Sequence, residues 1–133
     1  MENLVSAGSN ANTLLLVDDD VVLCDVLSQA LERRGFIVSV AHSAEEALPM
    51  AGLAPPRYAV LDLKMNGSSG LMLVDALHRA NPEARIVVLT GYASAETAAE
   101  VIRLGAAQCL FKSASTDAIL SALRHRPGSQ VIN

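Results

Sequence analysis

Short apolar runs alternate with segments of helical period along this chain. Leu14 to Val17, Phe36 to Ala41, Tyr58 to Leu61, Ile86 to Leu89 and Cys109 to Phe111 have strand length and many branched side chains, and each reads as a buried strand. Between them the apolar positions fall on helical stripes: Leu23, Val26, Leu27, Ala30 and Leu31, then Leu73, Val74 and Leu77, then Ala98, Val101 and Ile102. Punctuation agrees with this division. Gly35 follows Arg34 where the first helix should stop, and Ser43 with Glu46 forms a capping box for the second. Asn81 and Pro82 end the third helix, and Gly105 ends the fourth. Apolar strands joined by crossover helices imply a parallel sheet covered on both faces. The expected fold is therefore α/β, a doubly wound (βα)5 domain.

Composition narrows the class. Of 133 residues 51% are hydrophobic and 18% charged, which excludes a disordered chain and supports one packed domain. No apolar run approaches the roughly 20 residues that span a bilayer, and Met1 to Asn12 lack the basic start and apolar stretch of a secretory signal. A cytoplasmic location away from membranes is expected. A net charge of -4, with two tyrosines, two phenylalanines and no tryptophan, leaves neither a basic stripe nor a stacking platform, so no direct nucleic-acid binding is expected. Cys24 and Cys109, far apart in apolar surroundings, fit buried reduced thiols.

Parallel sheets bind ligands beyond the carboxyl ends of their strands. Those positions carry Asp18, Asp19 and Asp20 after the first run, His42 after the second, Asp62 after the third, Thr90 after the fourth and Lys112 after the fifth. If the first and third strands are neighbours, Asp18, Asp19 and Asp62 converge, and carboxylates about 5 Å apart repel by about 3 kcal/mol at an effective dielectric of 20. Such crowding calls for a cation. Carboxylate oxygens without convergent His or Cys favour octahedral magnesium over zinc. A hydroxyl and an ammonium facing the same ion suit a phosphoryl group carried on one carboxylate. Asp20 reads as a helix cap, and His42, His78 and His125 read as structural.

With these parts in order, Thr13 to Arg126 resembles the receiver domain of two-component response regulators, whose fold is flavodoxin-like with strand order 2-1-3-4-5. The resemblance implies that Asp62 in YAVLDLKM is the phosphoacceptor and that Asp18 and Asp19 in LLLVDDD are the metal-binding acidic pair. It implies a magnesium ion touched by Asp19 and Asp62, by Asp18 through water, and by the backbone carbonyl of Lys64. Thr90 in RIVVLTGY is similar to the switch hydroxyl, and Lys112 in CLFKS to the lysine that contacts the phosphoryl group. ERRGF, YAVLDL, GSSGL and RIVVLTGY are most similar to the PrrA/RegA-like branch of redox-responsive transcriptional regulators. The implied partners are a sensor histidine kinase and a second copy meeting through the face of the fourth helix, fifth strand and fifth helix. The resemblance implies a signalling domain with at most slow autodephosphorylation, not an enzyme.

Three positions depart from the family pattern. Ser113 follows Lys112 where a proline is common, Cys109 stands where an aromatic residue usually precedes the lysine by three, and Asn66 replaces a proline after the phosphoacceptor. Weaker or differently wired transmission is expected from Cys109. Lys64 and Tyr92, each two residues beyond a site residue, are expected to tune the phosphoryl lifetime. Residues 1–12 are expected to be a flexible segment, 13–126 the domain, and 127–133 a linker-like tail, which leaves open whether a DNA-binding domain follows. Two rival readings share the motifs. VDDD also fits a haloacid dehalogenase-type phosphatase, with Asp18 as nucleophile and Asp20 as acid/base, although its second acidic pair is missing. A phosphorylation-independent adaptor is the other.

Overall fold

The computed structural model describes residues 12–65, 68–91 and 95–124. Five strands, β1 (Thr13–Val17), β2 (Ile37–Ala41), β3 (Tyr58–Asp62), β4 (Arg85–Thr90) and β5 (Gln108–Phe111), alternate with five helices. The helices are α1 (Val21–Arg33), α2 (Ala44–Leu53), α3 (Gly70–Ala80), α4 (Ala95–Arg103) and α5 (Thr116–Arg124). All strand pairings in the sheet are parallel and its order is β2-β1-β3-β4-β5, the doubly wound order expected. A two-residue antiparallel ribbon, Lys64–Met65 with Ser68–Ser69, is inserted between β3 and α3. The expected tail 127–133, nearly all of the expected leading segment, Asn66, Tyr92 and His125 lie outside the described residues.

Because successive strand side chains point to opposite faces, each strand feeds two cores. Leu15, Val17, Ala59, Leu61, Ile86 and Val88 pack under α2, α3 and α4 with Ala47, Leu73, Val74, Leu77 and Val101. Leu14, Leu16, Val60, Val87 and Leu89 pack under α1 and α5 with Cys24, Leu27, Leu31, Ile119, Leu120 and Leu123. This two-sided burial is why the three central strands read as unbroken apolar runs.

The edges differ from expectation. β2 and β5 each have one neighbour, so Ile37, Ser39 and Phe111 are exposed and only Ala41 of β2 is buried. Two helical stripes are also narrower than expected. In α1 the buried line is Cys24, Leu27 and Leu31, while Val26 is 63% exposed; in α4 Val101 is buried and Ile102 is not. A helix over a sheet's outer strands buries one line of contact, and branched residues one position off that line stay wet.

The helix ends follow their caps. Asp20 accepts a hydrogen bond from the Leu23 amide at 3.1 Å and opens α1. Ser43 accepts from Glu46 at 3.0 Å, and Glu46 in return accepts from the His42 amide, one residue upstream of the usual box partner. Gly35 and Gly105 follow α1 and α4 with φ of 98° and 123°, the left-handed region that ends a helix without a Cβ clash.

Candidate functional site

Parallel pairing of β1 with β3 sets Val17 beside Leu61, so the residues just beyond them emerge together at the carboxyl edge of the sheet. Carboxylate oxygens of Asp18, Asp19 and Asp62 all lie within 4.8 Å of one another. Asp18 and Asp62 are 1% and 4% exposed, and Asp19 is half-buried. This donor set is made only of hard oxygens and would suit a hard divalent cation. It is the one such cluster among the described residues.

Two buried carboxylates need compensation, and Lys112 supplies it. Its Nζ donates to Asp62 Oδ2 at 3.0 Å and to Asp18 Oδ1 at 3.2 Å. The lysine is set in place by its own amide, which donates to the Thr90 carbonyl at 2.8 Å as β5 leaves β4. Ser113 in the next position does not prevent this reach. These two bonds and the charges of Asp18 and Asp62 raise the Lys112 ammonium above its ordinary value, against the opposing and largest single effect of burial. The Asp18 carboxyl is also raised, chiefly by burial and further by the Asp62 charge, while the Asp20 amide and Lys112 oppose the shift.

Each acidic side chain is oriented by backbone. Asp62 Oδ1 accepts from the Lys64 amide at 3.2 Å, and Asp18 Oδ1 accepts from the Asp20 amide at 2.9 Å. Thr90, 4% exposed, ends β4 between the strands that carry Asp62 and Lys112. The structure therefore brings together Asp18, Asp19, Asp62 and Lys112, with Thr90 on the intervening strand. The Lys64 side chain is exposed. Asp20, the acid/base of the phosphatase reading, is engaged as a helix cap.

Two contributors were not apparent in the sequence. Gly70 opens α3 so close to the end of β3 that a Cβ there would lie 2.8 Å from the Asp62 and Leu63 carbonyl oxygens. A glycine at the head of an apolar helical stripe is the only signal the sequence offers for this. His42, read as structural, places Nδ1 3.0 Å from the Asp18 carbonyl oxygen. Cys109 is half-buried against the α2-α3-α4 core, and the aromatic residue of β5 is instead Phe111, 58% exposed and in register with Thr90.

Comparison with known proteins agrees with this geometry. The family model for the response regulator receiver domain matches residues 14–124. The acid tolerance regulatory protein ActR of Rhizobium meliloti is 42% identical over 119 residues, covering 90% of this chain and 61% of that protein. The photosynthetic apparatus regulatory protein RegA of Cereibacter sphaeroides is 40% identical over 122 residues, covering 92% of this chain and 66% of its own length. The chain thus spans just under two-thirds of these relatives. A crystal structure of a response regulator from Burkholderia pseudomallei with a phosphorylated aspartic acid, calcium ion and citrate superposes with a TM-score of 0.84 at 39% identity, covering 91% of this chain and 71% of that one. The beryllofluoride-activated NtrC4 receiver domain dimer gives 0.79 at 29% identity, covering 86% and 94%. Fold, strand-end chemistry and sequence agree: the chain belongs to the receiver domain family of two-component response regulators.

Proposed function

We propose that this domain receives a phosphoryl group on Asp62 from the phosphohistidine of a sensor kinase and uses it to control an output partner, with transcriptional control as the output, a reading supported by the similarity to the regulatory proteins RegA and ActR. The observation that carries the proposal is the gathering of three carboxylates around Lys112 at the carboxyl ends of β1 and β3. The Asp62 carboxylate attacks phosphorus in line; the bond from phosphorus to the kinase imidazole breaks as the new bond to oxygen forms, and the imidazole nitrogen keeps the electron pair. Lys112, already beside Asp62 Oδ2, neutralises charge on the transferring oxygens. Asp19 and Asp62 directly, Asp18 through water, and the Lys64 carbonyl would hold Mg2+. Bound there, the ion would supply further charge neutralisation for the phosphoryl oxygens.

The aspartyl phosphate adds negative charge beside Thr90, whose hydroxyl would turn toward it and bias the loop after β4. The output face is then that of α4, β5 and α5, where Ile102 and Phe111 are exposed. A second copy meeting through this face is part of the proposal. Cys109 offers no ring to turn inward, so transmission through β5 would be weaker or differently wired. Residues 13–126 would form the domain, in a cytoplasmic location. Among the described residues no helix is long and apolar enough to cross a membrane.

Intact-mass measurement after incubation with acetyl phosphate tests the reading. Wild type should gain one phosphoryl group with Mg2+ and none with a chelator, and Asp62→Asn should gain none. A wild type that stays unmodified in Mg2+ would favour the adaptor, and loss in Asp18→Asn with retention in Asp62→Asn would move the nucleophile to the phosphatase position.

A further inference from the structure

We propose that His42 and Cys24 are positioning residues for the acidic site, holding the Asp18 peptide in place through its carbonyl oxygen. The inference rests on the function proposed above. His42 Nδ1 lies 3.0 Å from that oxygen and Cys24 Sγ donates to it at 3.3 Å. A carbonyl oxygen only accepts, so the His42 hydrogen sits on Nδ1 and both lone pairs are used. The donors come from separate elements, Cys24 from the first turn of α1 and His42 from the residue after β2. On its other side the Asp18 amide donates to the Ala41 carbonyl at 3.1 Å. The peptide that carries Asp18 and leads into Asp19 is thus tied to α1 and to the end of β2.

These ties oppose a specific force. Three carboxylates within 4.8 Å repel one another, and the β1-α1 loop is the part that can relieve the repulsion by swinging outward. Residues that prevent this hold the ligand set in the geometry a cation needs before it arrives, so the cation does not have to reorganise the loop. Both bond the backbone oxygen of Asp18 rather than its carboxylate, so each acts on metal affinity rather than on the transfer itself. A cavity of about 340 Å³ lined in part by Val21, Val22, Cys24, Val40 and His42 adjoins both donors, so shortening either side chain leaves the carbonyl facing that space.

The test is a calorimetric Mg2+ titration of the whole chain, paired with acetyl phosphate kinetics at varied Mg2+. Loss of one neutral hydrogen bond predicts that His42→Leu weakens Mg2+ binding about fivefold. The phosphorylation rate at saturating Mg2+ should stay within about twofold of wild type, because the ligands are still present once filled. His42→Asn keeps a donor at the ring Nδ1 position and should restore affinity. Cys24→Ala should behave like His42→Leu, and combining the two should cost more than the product of the singles, since the carbonyl then has no donor. Unchanged Mg2+ affinity in His42→Leu and Cys24→Ala, a saturating rate that falls in step with affinity, or no rescue by His42→Asn would overturn the proposal. A wild type that binds no Mg2+ would remove the functional reading itself, and this inference with it.

Discussion

Lys112 at the end of β5 reaches Asp62 at the end of β3 at 3.0 Å, across the whole width of β4. Strands lie about 4.8 Å apart, so only a long side chain bridges two of them. The same ammonium also meets Asp18, making Lys112 the shared counter-ion of two buried carboxylates.

Replacing that counter-ion should therefore show in stability before it shows in signalling. Lys112→Met leaves Asp18 and Asp62 facing each other without a cation. Breaking a buried pair costs roughly 3 to 5 kcal/mol, but the lysine side chain is 30% exposed and water screens it, so about 1 to 2 kcal/mol is expected. Thermal unfolding in chelator should fall by several degrees, and millimolar Mg2+ should recover much of the loss.

Asp18→Asn should move stability the other way. The fold raises the Asp18 carboxyl above its ordinary value of 3.8, mainly by burial. Folded protein therefore keeps a proton there that the unfolded chain has released, and stability contributed by this group falls as pH rises through the window between the two values. At neutral pH the ionised side chain is a net cost. In chelator the Asn variant should melt higher at pH 7 and lose the part of the pH slope that belongs to Asp18, with the gap closing toward acid. Added Mg2+ should stabilise the variant less than wild type.

These site residues were legible because each stands where an apolar run stops. Strand ends of a parallel sheet share one edge, so Asp18, Asp19, Asp62, Thr90 and Lys112 could be placed together from strand order alone. The wet edges of β2 and β5 were not legible as such: Ser39 alone interrupts Phe36 to Ala41, Cys109 to Phe111 is as apolar as the central runs, and it is neighbour count that sets an edge strand apart. Val26 and Ile102 misled for a related reason: helical period says which residues align, not how wide a stripe the sheet covers. The ribbon at Lys64–Met65 and Ser68–Ser69 is too short to carry a period. His42 gained its role from Asp18 on another strand end, and Gly70 from Asp62 and Leu63 on the far side of the ribbon.

Gly70 is a case where one methyl group should reach the site. A Cβ there would meet the Asp62 and Leu63 carbonyl oxygens at 2.8 Å and the Leu63 Cα at 2.9 Å, all of them backbone. Relief requires α3 to withdraw from the strand end that bears Asp62. Gly70→Ala should lower stability by about 1 to 3 kcal/mol and weaken Mg2+ binding in the same preparation. Gly52, exposed in α2 with open space around it, is the control: Gly52→Ala should gain about 0.5 to 1 kcal/mol and leave Mg2+ binding alone.

Thiol reactivity separates the two cysteines. Cys24 is 2% exposed and its thiol is pushed up to about 11, first by burial and then by the charges of Asp18 and Asp20. At pH 8 that leaves on the order of one thiolate in a thousand, on a side chain that is almost wholly buried. Cys109 is half-buried, and burial raises its thiol too. Iodoacetamide at pH 8 should add one group to native protein, slowly and at Cys109, with a second at Cys24 only in denaturant. Peptide mapping of the alkylated protein distinguishes the sites. Modification of Cys24 at the rate of Cys109 would show that the first turn of α1 opens in the native state, and with it the tie that holds the Asp18 carbonyl.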